Sequence, residues 1–217
     1  MTSIARICEK LIEKKPFLQE ALSNEIINYG ALAESMMADV ENEFGKKVKH
    51  AAVMMALRRL QEKLQRMPIS HPKFSSDCDL ALRSDLFEIA IVRYPLTYKL
   101  INKFYDIVDV SDYLAITTGT HEITILASKK YKAQFLKLLQ KDDILIEIND
   151  LAALTVKLPK NAPEMPGIFY LITRALTWEN ITIIEIVSTY TETTMILKNK
   201  DVSRAYEILQ KTIKENQ

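Results

Sequence analysis

The sequence predicts an α+β protein: an N-terminal helical module followed by two βαββα(β) units. Three observations carry this. Apolar residues keep helical spacing through residues 1–66. The period then fails in a stretch interrupted by Pro68, Pro72 and scattered serines. Beyond it, one order of strands and helices occurs twice, at an offset of roughly seventy residues.

In the helical module, Ile4, Ile7, Cys8, Leu11 and Ile12 form the first stripe. Lys15-Pro16 ends that helix, and Pro16 suits the first turn of a second. Asn28 is the expected N-cap of a third helix, because its side-chain oxygen can accept a first-turn N–H. Gly45 is the expected left-handed stop. A fourth helix runs from about Val48 to Arg66, with Val53, Leu57, Leu60 and Leu64 as its buried stripe. Residues 67–84 read as a linker.

The first unit, residues 85–150, opens with the apolar strand 86–92 and continues with a helix over 96–105. Strands over 113–118 and 122–126 flank Thr118-Gly119-Thr120, a short hairpin connection. A helix over 130–139 and a strand over 144–148 follow. The second unit, residues 151–217, repeats the order: strand 153–158, helix 167–177, strands 181–187 and 194–197, helix 202–213. Glu122-Ile-Thr-Ile-Leu answers Glu192-Thr-Thr-Met-Ile, and Ala133-Gln-Phe-Leu answers Ala205-Tyr-Glu-Ile. Each unit is expected to form an antiparallel sheet with helices on one face. The bare face needs a cover, either the other unit or a second chain, which is the physical reason to expect a homodimer.

Composition removes several functions. The 217 residues hold 29 Lys and Arg against 28 Asp and Glu, so net charge points to no partner. The four glycines lie too far apart for a dinucleotide fingerprint, a phosphate loop or a nucleophile elbow. Cys8, Cys78, His50, His71 and His121 show no zinc spacing, so neither metal nor cofactor is expected. Two lone cysteines suit a reducing, cytoplasmic setting. No apolar run is long enough for a membrane span, and the start resembles no signal peptide. Met36, Met37, Met54 and Met55 read as core or contact side chains, His121 as a surface residue and Trp178 as an anchor on its own sheet. No constellation supports catalysis, so the chain reads as a non-enzyme.

Residues 164–186, with Pro166-Gly167 opening a helix and Glu179-Asn-Ile-Thr leading into a strand, resemble the start of an ACT domain. Residues 192–209 are similar to the end of the ACT domains of aspartate kinases. The pair of units therefore resembles the tandem regulatory domains of those kinases, without the catalytic domain. The resemblance implies two ferredoxin-like βαββαβ folds and an amino-acid ligand held between two of them. On that basis Met165, Gly167, Ile168, Asn180, Ile181 and Thr182 are the candidate ligand residues. Backbone N–H groups at the helix start would meet a carboxylate, and Gly167 would allow close approach. Asn180 and Thr182 would meet the ammonium across the interface. A dry dimer face is the alternative. Asn180 stands where the family has glycine, Thr182 where it has a polar Asn, and Tyr94-Pro95-Leu96 where the first unit lacks Pro-Gly.

Residues 27–34 followed by 45–53 resemble a winged-helix or helix-turn-helix module. From Gly45 to Arg66, seven basic residues face one acid, Glu62. Lys46, Lys47, Lys49 and His50 are the candidate groove-facing residues and Arg58 and Arg59 the candidate phosphate clamps. A solvated helix face is the plainer alternative. The expectation is thus an amino-acid-responsive regulator that controls DNA binding. The rival is a regulatory or scaffold subunit that docks on a biosynthetic enzyme and binds no DNA.

Overall fold

The helical spacing of the first residues is realised as four helices: α1 (Ile4–Glu13), α2 (Pro16–Ser23), α3 (Tyr29–Phe44) and α4 (His50–Arg66). In this computed structural model, residues 3–66, 72–94 and 97–217 are described. Pro68, Ile69 and His71 of the expected linker, and Pro95 and Leu96, lie outside them. Ser3 caps α1, and Asn28 caps α3 by accepting the Ala31 N–H at 3.1 Å. Gly45 ends α3 at φ 79°, a conformation that costs glycine little. Ile7, Leu22, Met36, Val40, Val53 and Leu57 are buried in one apolar core. Beneath α3, Gln61 accepts from the Tyr29 hydroxyl and donates to Glu25 at 2.8 Å, so this buried amide is satisfied. No strand occurs among the described residues of this unit, so the wing of a winged helix has no counterpart there.

Residues 1–70 and 71–217 form two compact units. The second holds β1 (Leu80–Val92), α5 (Thr97–Ile107), β2 (Leu114–Thr118), β3 (Glu122–Ser128), α6 (Lys132–Leu138), β4 (Ile144–Lys157), α7 (Ile168–Trp178), β5 (Ile183–Ser188), β6 (Glu192–Lys198) and α8 (Val202–Glu215). The strands form one antiparallel sheet in the order β2-β3-β1-β4-β6-β5. This differs from the expected two sheets. The strands expected at 144–148 and 153–158 are one strand, β4, and residues 80–84 of the expected linker belong to β1.

The reason lies at two aspartates. Asp85 in β1 and Asp150 in β4 both take left-handed conformations, at φ 55° and 61°. Each bends its strand, and the β1–β4 register shifts on either side of Leu86↔Leu151. After the bend, residues 86–92 of β1 pair with β3; after its own bend, residues 151–157 of β4 pair with β6. The first lobe is therefore residues 86–92, α5, β2, β3, α6 and the first half of β4. The second lobe is residues 151–157, α7, β5, β6, α8 and the first half of β1. Each lobe borrows its outermost strand from the strand that begins the other. The unit also closes end to end, since the Phe74 N–H donates to the Asn216 carbonyl at 2.8 Å.

Alternation along the strands makes two faces. Phe87, Ile89, Ile91, Ile123 and Ile125 meet α5 and α6, while Leu154, Val156, Met195 and Leu197 meet α7 and α8. The opposite face closes on itself over Leu86, Leu126, Leu151, Ala153 and Ile196, with Tyr113, Ala115 and Ile184 packed against them. Strands β2 and β5 lie at opposite ends of the sheet order, yet Ala115 of β2 and Ile184 of β5 pack against the same cluster. The bare face is thus covered within the chain, and a second copy is not needed for that purpose. The repeat is in register at an offset of 70 from β3/β6 through the following 3-10 turns, Lys129–Tyr131 and Asn199–Asp201. That register sets buried Phe135 against buried Ala205. The expected match of Ala133 with Ala205 is off by two, because Ala133 is exposed.

Candidate functional site

Helix α7 lies between two left-handed residues. Gly167 precedes it at φ 92° and accepts the Leu171 N–H at 2.9 Å, starting the helix without a side-chain cap. A side chain at Gly167 would be strained by that φ, although its Cβ would meet only the Pro72 ring, at an ordinary contact of 3.8 Å. At the far end Asn180, at φ 55°, donates its N–H to the Thr177 carbonyl at 2.9 Å, and Ile181 donates to Leu176 at 3.0 Å. This is the closure that glycine usually makes, taken here by the residue type that tolerates it best after glycine.

The six candidate ligand residues divide between these ends. Met165, Gly167 and Ile168 stand at the start of α7, and Asn180, Ile181 and Thr182 just past its end. The eleven residues of α7 span about 16 Å at 1.5 Å per residue, so the two sets are separated by the helix itself. Ile168 and Ile181 are buried in the same apolar core, which Met165 also touches. Gly167, Asn180 and Thr182 are exposed. The side chains free to meet a solute are therefore Asn180 and Thr182, together with the backbone at Gly167.

Trp178 does not anchor on its own sheet. It is the last residue of α7 and is 72% exposed. Its ring packs instead under the Arg174 guanidinium, 5.1 Å from the ring centre and one turn earlier, and Arg174 also lies 5.6 Å from the Tyr170 ring.

The candidate nucleic-acid residues lie in the helical unit. Lys46, Lys47 and Lys49 occupy the connection between α3 and α4, His50 opens α4, and Arg58 and Arg59 follow two turns later. The five Lys and Arg side chains are exposed. Lys47 pairs with Glu41 at 2.8 Å, which raises the Lys47 pKa and lowers that of Glu41. Lys46 lies over the Phe44 ring, and His50 Nε2 is 3.0 Å from the Gly30 carbonyl. Lys63, from the same basic segment, pairs with Glu9. Arg58 and Arg59 point about 100° apart around the helix axis, so the set does not form a single row.

Sequence reasoning misses an acidic pair, buried Glu88 and half-buried Glu185. Glu88 of β1 is 6% exposed, and burial together with repulsion from Glu185 and Glu122 pushes its pKa up to about 7, opposed by Lys198. Glu185 of β5 is also raised by burial, with Thr117 working against the shift. One carboxylate oxygen of each is buried without a hydrogen-bond partner. The available signal was the lone charge at Glu88 inside the apolar run 86–92. Both thiols are pushed up to about 11 by burial, so neither is an activated nucleophile. Among the described residues no group of three His, Cys, Asp or Glu side chains could hold a metal ion, and no helix is long and apolar enough to cross a membrane.

The structure also shows a cavity of about 420 Å³ in the first lobe, between α5 and the end of α6, and a cleft of about 330 Å³ beside Asn28, Met54 and Arg58 in the helical unit.

No family model and no curated protein matches the sequence. Solved structures do match. Aspartate kinase from Clostridium acetobutylicum is similar at a TM-score of 0.54 and 16% identity, over 67% of this chain and 36% of that one. The chain thus matches only about a third of that enzyme's length. The regulatory subunit of aspartate kinase from Thermus thermophilus, in its ligand-free form, is similar at 0.50 and 14% identity, over 61% of this chain and 95% of that one. The corresponding subunit from Thermus flavus is similar at 0.51 and 12% identity, over 65% and 99%. At these identities the likeness establishes the fold. The chain carries the mixed α+β architecture of aspartate kinase regulatory domains.

Proposed function

We propose that the chain is a non-catalytic, amino-acid-responsive regulatory protein. The observation that carries this reading is a fold likeness over nearly the whole of proteins described as regulatory subunits of aspartate kinase. The ligand would be held through Met165, Gly167, Ile168, Asn180, Ile181 and Thr182 where two ACT-type lobes meet. Within one lobe the two halves of this set stand a helix length apart. One small ligand can touch both only if the start of α7 comes from one lobe and Asn180 with Thr182 from another. The reading therefore implies a homodimer on grounds of site geometry rather than sheet coverage. First-turn N–H groups would take the carboxylate, and the Asn180 and Thr182 oxygens the ammonium.

Thermal unfolding against the twenty amino acids at millimolar concentration tests it. A ligand at 100 times its dissociation constant adds about 2.7 kcal/mol. The expected result is a rise of several degrees with one or a few related amino acids, lost in Thr182→Val. No shift with any amino acid would overturn the ligand part of the reading.

The output would be DNA contact by the helical unit through Lys46, Lys47, Lys49, His50, Arg58 and Arg59. Ligand would act by favouring one arrangement of the dimer over another. Binding should weaken steeply with salt and be reduced by Lys49→Glu with Arg59→Glu. The second reading is docking on an enzyme without DNA contact. It is favoured by the pairing of Lys47 with Glu41 and Lys63 with Glu9 inside the unit, which spends basic charge internally. Absence of salt-sensitive DNA binding at low ionic strength selects it.

A further inference from the structure

The two lobes share a topology but differ in their last helix: the first lobe holds the cavity of about 420 Å³ beside α5, whereas a cleft of about 120 Å³ lies beside α8 in the second. Helix α6 has 7 residues and α8 has 14. In the second lobe the extra turns carry Leu209 and Ile213, both buried against the α7 side of the core. In the first lobe the chain leaves its helix at Leu138, and Asp143 stands at the sequence position that matches Ile213. Leu139, which matches Leu209, still packs against the first lobe's core, whereas Asp143 in place of Ile213 lines a cavity of about 420 Å³. That size is within the range of small-molecule sites.

The lining is not that of a packing defect. Leu100 and Leu138 supply an apolar floor together with the end of β1. Lys99 and Lys103, one turn apart on α5, line one wall. Residues at this spacing sit about 5–6 Å apart at their Cβ atoms, close enough for both ammonium groups to reach one acid group. Neither lysine has an ion pair among the described residues. Gln140 and Asp143 line the cavity from the chain that leaves α6, offering acceptors for an N–H or O–H. Two cations against one carboxylate leave the lining net positive.

We propose that this cavity is a binding site for a small organic anion with an apolar body. Its acid group lies between Lys99 and Lys103, its body rests on Leu100 and Leu138, and any donor group turns toward Asp143. The site belongs to the first lobe alone and does not rest on the ligand reading for α7.

The probe is 8-anilinonaphthalene-1-sulfonate, an acid group on an apolar body, titrated into the full chain with fluorescence as readout. The expected result is saturable one-site binding, displaced by hexanoate and not by hexylamine. Lys99→Glu with Lys103→Glu should weaken it about tenfold or more, since two charge-assisted contacts are lost. Lys160→Glu with Lys200→Glu makes the same charge change on the second lobe and should leave it unchanged. Val92→Phe, which keeps both lysines and fills the cavity from the end of β1, should also abolish it. Far-UV circular dichroism melts check that each variant is folded; if the lysine-to-glutamate pair is not, Lys99→Gln with Lys103→Gln gives the same readout. Equal affinity in the Lys99/Lys103 variant and the control, persistence in Val92→Phe, equal displacement by hexylamine, or no saturable binding would each overturn the proposal.

Discussion

The first and second lobes solve one packing problem with different materials. Both must cover one face of a four-strand segment with two helices. The second does so with a long α8 and aliphatic side chains: Leu209 and Ile213 from α8, Leu171, Ile172 and Leu176 from α7, around a small Ala205. The first has half that helix and uses aromatic volume instead. Phe135 sits where the other lobe has Ala205, with its ring centre 4.5 Å from Phe104 and 5.8 Å from Phe87. Side-chain volume thus substitutes for helix length, and the substitution is incomplete, which leaves the cavity beside α5. Repeats of one topology need not share a core composition when their helices differ in reach.

The largest expected effect tests that substitution. Phe135→Ala should cost about 3–5 kcal/mol, because a fully buried aromatic side chain leaves a void that a short helix cannot close. Ala205→Phe, the reverse change in the second lobe, should cost about 1–3 kcal/mol through overpacking. Urea unfolding followed by circular dichroism ranks the two; a smaller loss for Phe135→Ala than for Ala205→Phe would break the comparison.

Glu88 gives the next effect. The register places Leu86 opposite Leu151, so Ala153 is the second lobe's counterpart of Glu88. The folded protein holds the Glu88 proton up to about pH 7, whereas an unperturbed glutamate loses it near 4.5. The folded state therefore binds more protons between those values, and stability falls as pH rises through that window, by up to about 3 kcal/mol. Glu88→Gln should raise the melting temperature at pH 8 relative to the natural chain and lose most of that advantage at pH 5. An advantage independent of pH would argue against the assignment to Glu88.

Asp85 and Asp150 should respond alike. A β-branched residue in the left-handed region is strained, so Asp85→Val and Asp150→Val should each cost about 1–2 kcal/mol. Unequal losses in chemical denaturation would mean that the two bends are not equivalent. The smallest effect separates two ion pairs. Lys211–Glu215 is exposed at 3.8 Å, so Lys211→Ala should change stability by less than about 0.5 kcal/mol. Lys132–Glu147 in the first lobe is more buried, so Lys132→Ala should cost more in the same melts.

Much of this architecture was legible in residue spacing. Asn28, Gly45, Gly167 and Asn180 announce their roles because capping and left-handed turns are local chemistry. The repeat was legible because alternation and helical period survive in both lobes. The single sheet was not legible, since the Asp85 and Asp150 bends matter only through pairing between strands some 65 positions apart, and Asp in a polar stretch reads equally as a loop. Trp178 misled because sequence gives its hydrophobicity but not its place past the packed part of α7. For the α7 ends, sequence supplied the residues but not the helix length that holds them apart. The cavity depends on an absence, the missing turns of α6, which no motif records.

The exchanged outer strands also bear on how the unit is made. Residues 80–83 are synthesised before either lobe, yet their partners in β4 are residues 153–156. That half-strand must wait through the whole first lobe before its edge is satisfied, and the second lobe remains one strand short until it is recruited. The Phe74–Asn216 hydrogen bond ties the last turn of the chain to the same entrance. Neither lobe has all four of its strands until β4 is in place, so the two are not beads on a string.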